Sequence, residues 1–169
     1  VKAVGQYQLY IPLNKKFTFA LNTEVNWGKG LSGQPYPVFK NVKGGGLGTV
    51  RGFEYNTLGP IEEATGLYLG GPKKLNLNAE LYVPFPGAGT DKTLRLYGFV
   101  DVGNVYGEND PYKLNELRSS AGIGISWISP LGPLRLSYAK AIKKFDTDKL
   151  QTIPRLETRR QRTTRRNDN

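Results

Sequence analysis

The sequence predicts an all-β chain of about six antiparallel strands, and three observations carry that reading. Six segments alternate apolar and polar residues with period two. The connections between them alternate short and long, and no run approaches the roughly 18 consecutive apolar residues that a membrane helix needs. In chain order, the first segment sets Tyr7, Leu9 and Ile11 against Gln6 and Gln8. The second is the clearest, with Phe17, Phe19, Leu21, Val25 and Trp27 alternating with Thr18, Ala20, Asn22, Glu24 and Asn26. The third sets Leu75, Leu77, Ala79, Leu81 and Val83 against Asn76, Asn78, Glu80 and Tyr82. The fourth opposes Leu94, Leu96, Val100 and Val102 to Arg95, Tyr97, Phe99 and Asp101. Ala121, Ile123, Ile125 and Trp127 against Ser120, Gly122, Gly124 and Ser126 make the fifth, and Leu134, Leu136 and Tyr138 against Arg135, Ser137 and Ala139 the sixth.

Composition narrows the chemistry. With no Cys and no His among 169 residues, disulfides, thiolate nucleophiles, imidazole bases and the usual zinc, copper and haem ligands are all excluded. The absence of Met, including at residue 1, leads us to read the chain as a piece of a longer protein. The formal charge of +10 is unevenly spread: residues 155–169 hold six Arg against Glu157 and Asp168, and the rest of the chain is only moderately basic. That Arg-rich end has almost no apolar residues to offset its ordering entropy and is expected to be a disordered tail. The preceding residues 1–154 form the folded part.

The polar faces of the segments carry Glu24, Glu80, Arg95, Asp101 and Arg135 beside Asn, Ser and Gly. Alternation alone is shared by a soluble β-sandwich and a transmembrane β-barrel, and a mean hydropathy of −0.47 is compatible with either. The connections favour the barrel. Short turns at Pro12 to Lys16, Pro84 to Thr93 and Ser129 to Pro133 alternate with a medium loop from Gly107 to Arg118 and a very long one over 28–74. Outer-membrane barrels have tight turns at one rim and extended loops at the other. Tyr10, Trp27, Phe85, Tyr106 and Trp127 lie at strand ends, where such barrels carry aromatic girdles. Six strands are too few to close a membrane barrel, so the chain is expected to be part of one.

The long loop holds Gly44, Gly45, Gly46 and Gly48, then Val50-Arg51-Gly52-Phe53. As a phosphate cradle it fails, because no G-x-G-x-x-G register, Walker lysine or strand-then-helix setting surrounds it. As backbone geometry it is coherent: clustered glycines allow a tight tip that projects Arg51, and a confined arginine wants a carboxylate.

These residues resemble the outer-membrane protein assembly family, which also includes mitochondrial and chloroplast sorting-and-assembly barrels and two-partner secretion transporters. The likeness rests on Val50-Arg51-Gly52-Phe53 followed by Asn56-Thr57-Leu58-Gly59-Pro60, on Gly70-Gly71 leading to a strand with Glu80, on Phe99-Val100-Asp101-Val102-Gly103-Asn104-Val105, and on the run from Ser120 to Arg135. The resemblance implies the C-terminal part of a sixteen-stranded barrel in the bacterial outer membrane, preceded by periplasmic POTRA domains. It further implies that the loop folds into the lumen and that Arg51 docks near Asp101 and Glu80, as a conformational lock and not as catalytic chemistry. The implied activity is the folding and insertion of β-barrel clients through a lateral seam, without nucleotide, cofactor or metal. The implied partners are unfolded outer-membrane proteins, accessory outer-membrane lipoproteins, outer-membrane lipid and, through the POTRA domains, periplasmic chaperones. After Ile153-Pro154 the family continues with a closing strand, whereas this sequence turns into the Arg-rich end.

A secretion pore of the same superfamily, and a soluble β domain with a nucleic-acid-binding tail, are the competing readings. The tail lacks the interleaved aromatics of stacking readout, so no nucleic acid is expected. Glu108, Asn109 and Asp110 have oxygen donors suited to calcium but read better as a solvated outer loop. The adjacent Glu62 and Glu63 lack a pocket and a partner base, and Gly103, Gly122 and Gly124 read as strand glycines that permit curvature or close packing.

Overall fold

The computed structural model describes residues 1–87 and 93–150. The expected tail 155–169 and the end of the folded part, 151–154, lie outside the described residues. Six strands carry the architecture: β1 (Lys2–Pro12), β2 (Thr18–Gly28), β3 (Lys73–Pro84), β4 (Leu94–Tyr106), β5 (Arg118–Ser129) and β6 (Gly132–Lys143). They form one antiparallel sheet in chain order. The strands outrun the alternating segments, because ladder hydrogen bonds persist wherever two backbones stay in register. Thus β1 begins at Lys2, β6 continues to Lys143, and the loop expected over 28–74 is trimmed at its ends, with Gly28 closing β2 and Lys73 pairing with Tyr106.

The pairing register carries each face across all six strands. One row runs Gln8, Asn22, Asn78, Asp101, Ser120, Ala141, and the next inward-facing row runs Tyr10, Ala20, Glu80, Phe99, Gly122, Ala139. The opposite face carries Val25, Leu77, Leu81, Val100, Ile123, Trp127, Leu136 and Tyr138, all solvent-exposed in the isolated chain, with Leu136 at 74% and Ile123 at 67%. Asn26, Asn76, Asn78, Asp101 and Ser120 on the polar face are buried. This inverts the arrangement of a water-soluble sheet, where burial of the apolar face supplies the main stabilisation. Among the described residues no second sheet covers the apolar face, so the sandwich has no counterpart here. An apolar exterior around a polar interior is the pattern of a membrane barrel wall.

Two of the strand-end aromatics depart from the girdle expectation. Tyr106 is buried and donates its hydroxyl to the Lys113 carbonyl at 2.7 Å, and Tyr10 lies in the inward row beside Tyr82. Trp27 and Trp127 stand exposed on the apolar side. The glycines of β5 have a concrete use: a Cβ at Gly122 would collide with the Phe99 ring, and one at Gly124 with the Tyr97 ring. Each glycine faces its aromatic across the ladder, which lets both rings lie flat on the inner wall.

Candidate functional site

Residues 29–72 return to cover the polar face. Isolated bridges Val42 with Gly71 and Gly44 with Leu58 close the loop on itself, and Gly46 donates to the Val50 carbonyl at 3.1 Å to form the tip. Gly45, Gly46, Gly48 and Gly52 all have positive φ, while Gly44 is packed against Val105. Gly52 is the constrained position, since at φ +87° its missing Cβ would sit 3.3 Å from the Ala139 Cβ. Only a residue without a side chain brings the tip this close to β6. Val50, Phe53 and Leu58 form a small apolar core under the loop, with Ala141 and Leu150 against it.

Between these apolar residues Arg51 points into the wall. Its Nε and Nη2 donate to the two Asp101 oxygens at 2.7 Å each, and its backbone N–H donates to the same carboxylate at 3.0 Å. Its Nη1 lies 2.7 Å from Glu80 Oε1. The guanidinium stacks 3.5 Å from the centroid of Phe99. Asp101 is fully buried and takes a fourth hydrogen bond from Asn78 Nδ2 at 2.8 Å. Asn78 also donates to the Thr49 carbonyl at 2.5 Å, so it grips the tip and orients the carboxylate together. Burial works against the Arg51 charge, but the hydrogen bonds and charge of Asp101, reinforced by Glu80, outweigh it and hold the guanidinium protonated beyond its ordinary range.

Glu80 is shared. Arg135 of β6 donates to both its oxygens at 3.0 Å and stacks 4.6 Å from the Tyr97 centroid, while the Tyr82 hydroxyl donates to the same carboxylate. Two arginines, two carboxylates and three aromatic rings thus link the tip to β3, β4 and β6. The bidentate pair with Asp101 is the fully desolvated member, and Arg135 remains half exposed. Such an arrangement is suited to holding a conformation.

The structure therefore brings Val50, Arg51, Gly52, Phe53, Glu80 and Asp101 together in one cluster. Sequence reasoning missed Asn78 and Arg135, although both fall on the inward rows set by strand alternation. Glu62 and Glu63 sit exposed in the 61–68 hairpin. Glu108 is not simply solvated: its carboxylate accepts the Gly30 N–H at 2.7 Å and the Tyr36 N–H at 2.8 Å, stapling two loops. The N–H groups of Tyr36 and Gly30 hold its carboxyl below the usual carboxylate range. Among the described residues no group of three or more acidic side chains is placed to hold a metal ion.

Comparison with known proteins converges on one group. The profile of the Omp85 superfamily domain matches residues 1–159, five residues past the boundary expected from sequence. The chain is 40% identical over 170 residues to the outer membrane protein assembly factor BamA of Neisseria meningitidis serogroup B, covering 84% of this chain and 21% of that protein. It is 34% identical over 111 residues to the BamA of Neorickettsia risticii, covering 63% of this chain and 15% of that protein. A SAM50-like protein of Drosophila melanogaster is 30% identical over 111 residues, covering 63% of this chain and 24% of that protein. A crystal structure of BamA from Haemophilus ducreyi lacking POTRA domains 1–3 superposes with a TM-score of 0.76 at 30% identity, covering 89% of this chain and 33% of that one. The chain thus spans about a fifth of the length of the first of these relatives.

Proposed function

Because the chain belongs to the Omp85 superfamily, we propose that it is the C-terminal part of the barrel of an outer-membrane protein assembly factor, acting in the bacterial outer membrane to fold and insert β-barrel clients. The observation that carries this reading is the lock: an inside-out sheet whose polar face is plugged by a loop tip held on a buried Arg51–Asp101 pair. A plugged lumen is a poor conduit, which favours insertion at a seam of the barrel over passage through it. In lipid an unpaired strand edge strongly favours pairing with another strand. In the full protein these six strands would belong to a sixteen-stranded barrel whose seam templates client strands by β-augmentation. The driving free energy is then that of the client's own folding, without nucleotide. Unfolded outer-membrane proteins, accessory lipoproteins and periplasmic chaperones are the corresponding partners.

The test is reconstitution of the full-length protein in liposomes without nucleotide, followed by addition of a urea-unfolded barrel client and measurement of protease-resistant, membrane-inserted product. Insertion faster than into empty liposomes is expected. Equal rates with and without the protein would overturn the proposal.

A further inference from the structure

Residues 144–150, which continue directly from β6, fold back over the polar face and meet the loop tip. Asp148, whose side chain is 2% exposed, receives Arg118 of β5 in a forked pair: Nε at 3.2 and 3.1 Å and Nη2 at 2.9 Å. The same carboxylate accepts the Phe145 N–H at 2.8 Å, and the Asp148 N–H donates back to the Phe145 carbonyl at 2.9 Å. Arg118 uses its remaining nitrogen on Asn104 Oδ1 at 2.6 Å and the Glu116 carbonyl at 3.3 Å, and it lies 4.7 Å from the Phe145 ring centroid. The segment then reaches the tip itself. Glu54 N–H donates to the Lys149 carbonyl at 2.8 Å, Phe53 and Leu150 form an antiparallel bridge, and Leu150 packs against the Val50, Phe53 and Leu58 core. Tyr68, from the same long loop, donates its hydroxyl to the Thr147 carbonyl at 2.7 Å.

We propose that Arg118 and Asp148 are positioning residues that hold 145–150 as a strap across the docked tip, making the tip lock and the exit of the chain from β6 a single two-state unit. The geometry explains why the two cannot move separately. Phe53 and Glu54 lie two and three residues beyond Arg51, so withdrawing Arg51 from Asp101 pulls apart the bridge to Leu150 and the bond to Lys149. Both arginines are also anchored on β4, Arg51 at Asp101 and Arg118 at Asn104, three residues apart. Forked arginine–carboxylate pairs combine charge with fixed orientation, and burial at Asp148 makes loss of the partner costly. In a single two-state unit the tip and the strap share one open population, so whatever raises that population loosens both by the same factor. The consequence for client handling at the barrel seam rests on the proposed assembly role; the coupling itself does not.

Amide hydrogen exchange on the full-length protein in liposomes tests this with Arg51→Ala, Asp148→Asn and Asp148→Glu. Asp148→Asn should speed exchange about tenfold or more at Phe145 and Asp148 and equally at Arg51 and Glu54. Arg51→Ala should release the strap amides to a matching degree, and Asp148→Glu should restore most of the protection. A strap that loosens alone in Asp148→Asn, or stays protected in Arg51→Ala, overturns the inference. Should Asp148→Asn fail to fold, Leu150→Ala, which truncates the side chain at the bridge without freeing its backbone, is held to the same two outcomes. Client assembly by the unmutated protein is measured in parallel, so that its absence counts against the functional reading and uncoupled exchange counts against the strap.

Discussion

Breaking the Arg51–Asp101 pair should release the loop tip by a predictable amount. Truncation by Arg51→Ala removes two side-chain hydrogen bonds from Asp101 and the contact with Glu80, leaving a fully buried carboxylate with only the Arg51 N–H and Asn78 as donors. Removing one partner of a buried pair typically costs about 3–5 kcal/mol, because the remaining charge is neither solvated nor compensated. Asp101→Asn keeps an acceptor of the same shape and leaves Arg51 with Glu80 and the Phe99 face, so a smaller loss, about 1.5–3 kcal/mol, is expected. Arg51→Lys falls between, since a point charge cannot span both carboxylates in one plane. Val50 is 1% exposed and the chain has no Cys. In a cysteine-free full-length background, Val50→Cys therefore gives a single thiol whose labelling rate reports the undocked fraction. At about 1.4 kcal/mol per decade, the Arg51→Ala loss corresponds to a labelling rise between about a hundredfold and a few thousandfold, up to the rate of an unprotected thiol. The Arg51→Ala, Asp101→Ala double variant should label no faster than either single, because both remove the same interaction. Unchanged labelling in Arg51→Ala, or strictly additive effects in the double, would refute the reasoning.

Other perturbations read different parts of the same structure. Asn78→Ala leaves the Thr49 carbonyl and one Asp101 lone pair without their donor and should cost about 1–3 kcal/mol in the same labelling assay, clearly less than Arg51→Ala. Gly52→Ala places a Cβ in the left-handed region against Ala139, and a loss of about 1–2 kcal/mol from backbone strain alone should appear as faster labelling without change in the client-free barrel content by circular dichroism. Glu108 titrates below its unfolded value, so the staple to Gly30 and Tyr36 is fully present above the unfolded carboxylate pKa and is lost as pH falls through the lower folded one. Exchange at those two amides, corrected for its intrinsic pH dependence, should rise only in that acid window, and Glu108→Gln should abolish the step. Finally, Leu136→Arg on the apolar face should destabilise the barrel in lipid by about 2–4 kcal/mol if the site is near the bilayer midplane, whereas Ser137→Arg, one residue on and facing inward, should change it little by urea titration in vesicles.

The period-two pattern by itself determined six two-faced strands, and the residues between the second and third mark a long glycine-rich loop that carries Val50-Arg51-Gly52-Phe53 within it. It also put Glu80 and Asp101 each on the polar face of its own strand, because side-chain parity along a strand is a local property. Parity does not say which face is covered. Only the packed structure shows the polar face under the loop and the apolar face bare, the observation that separates this wall from a sandwich. Nor does parity choose partners. Asp101 takes the forked pair while Glu80 is divided between Arg51 and Arg135, because cross-strand register, set by hydrogen bonds between residues far apart in sequence, aligns Asn78 with Asp101 and Phe99 with Glu80. Tyr106 and Tyr10 had the right positions for a girdle, yet Tyr106 turns to the loop, where the Lys113 carbonyl accepts its hydroxyl, and Tyr10 falls on the inward row set by its pairing with Ala20. The Arg118–Asp148 strap was illegible for the same reason: it joins β5 to a segment thirty residues later, and no local pattern marks two residues that meet only after β6 has paired and the chain has folded back.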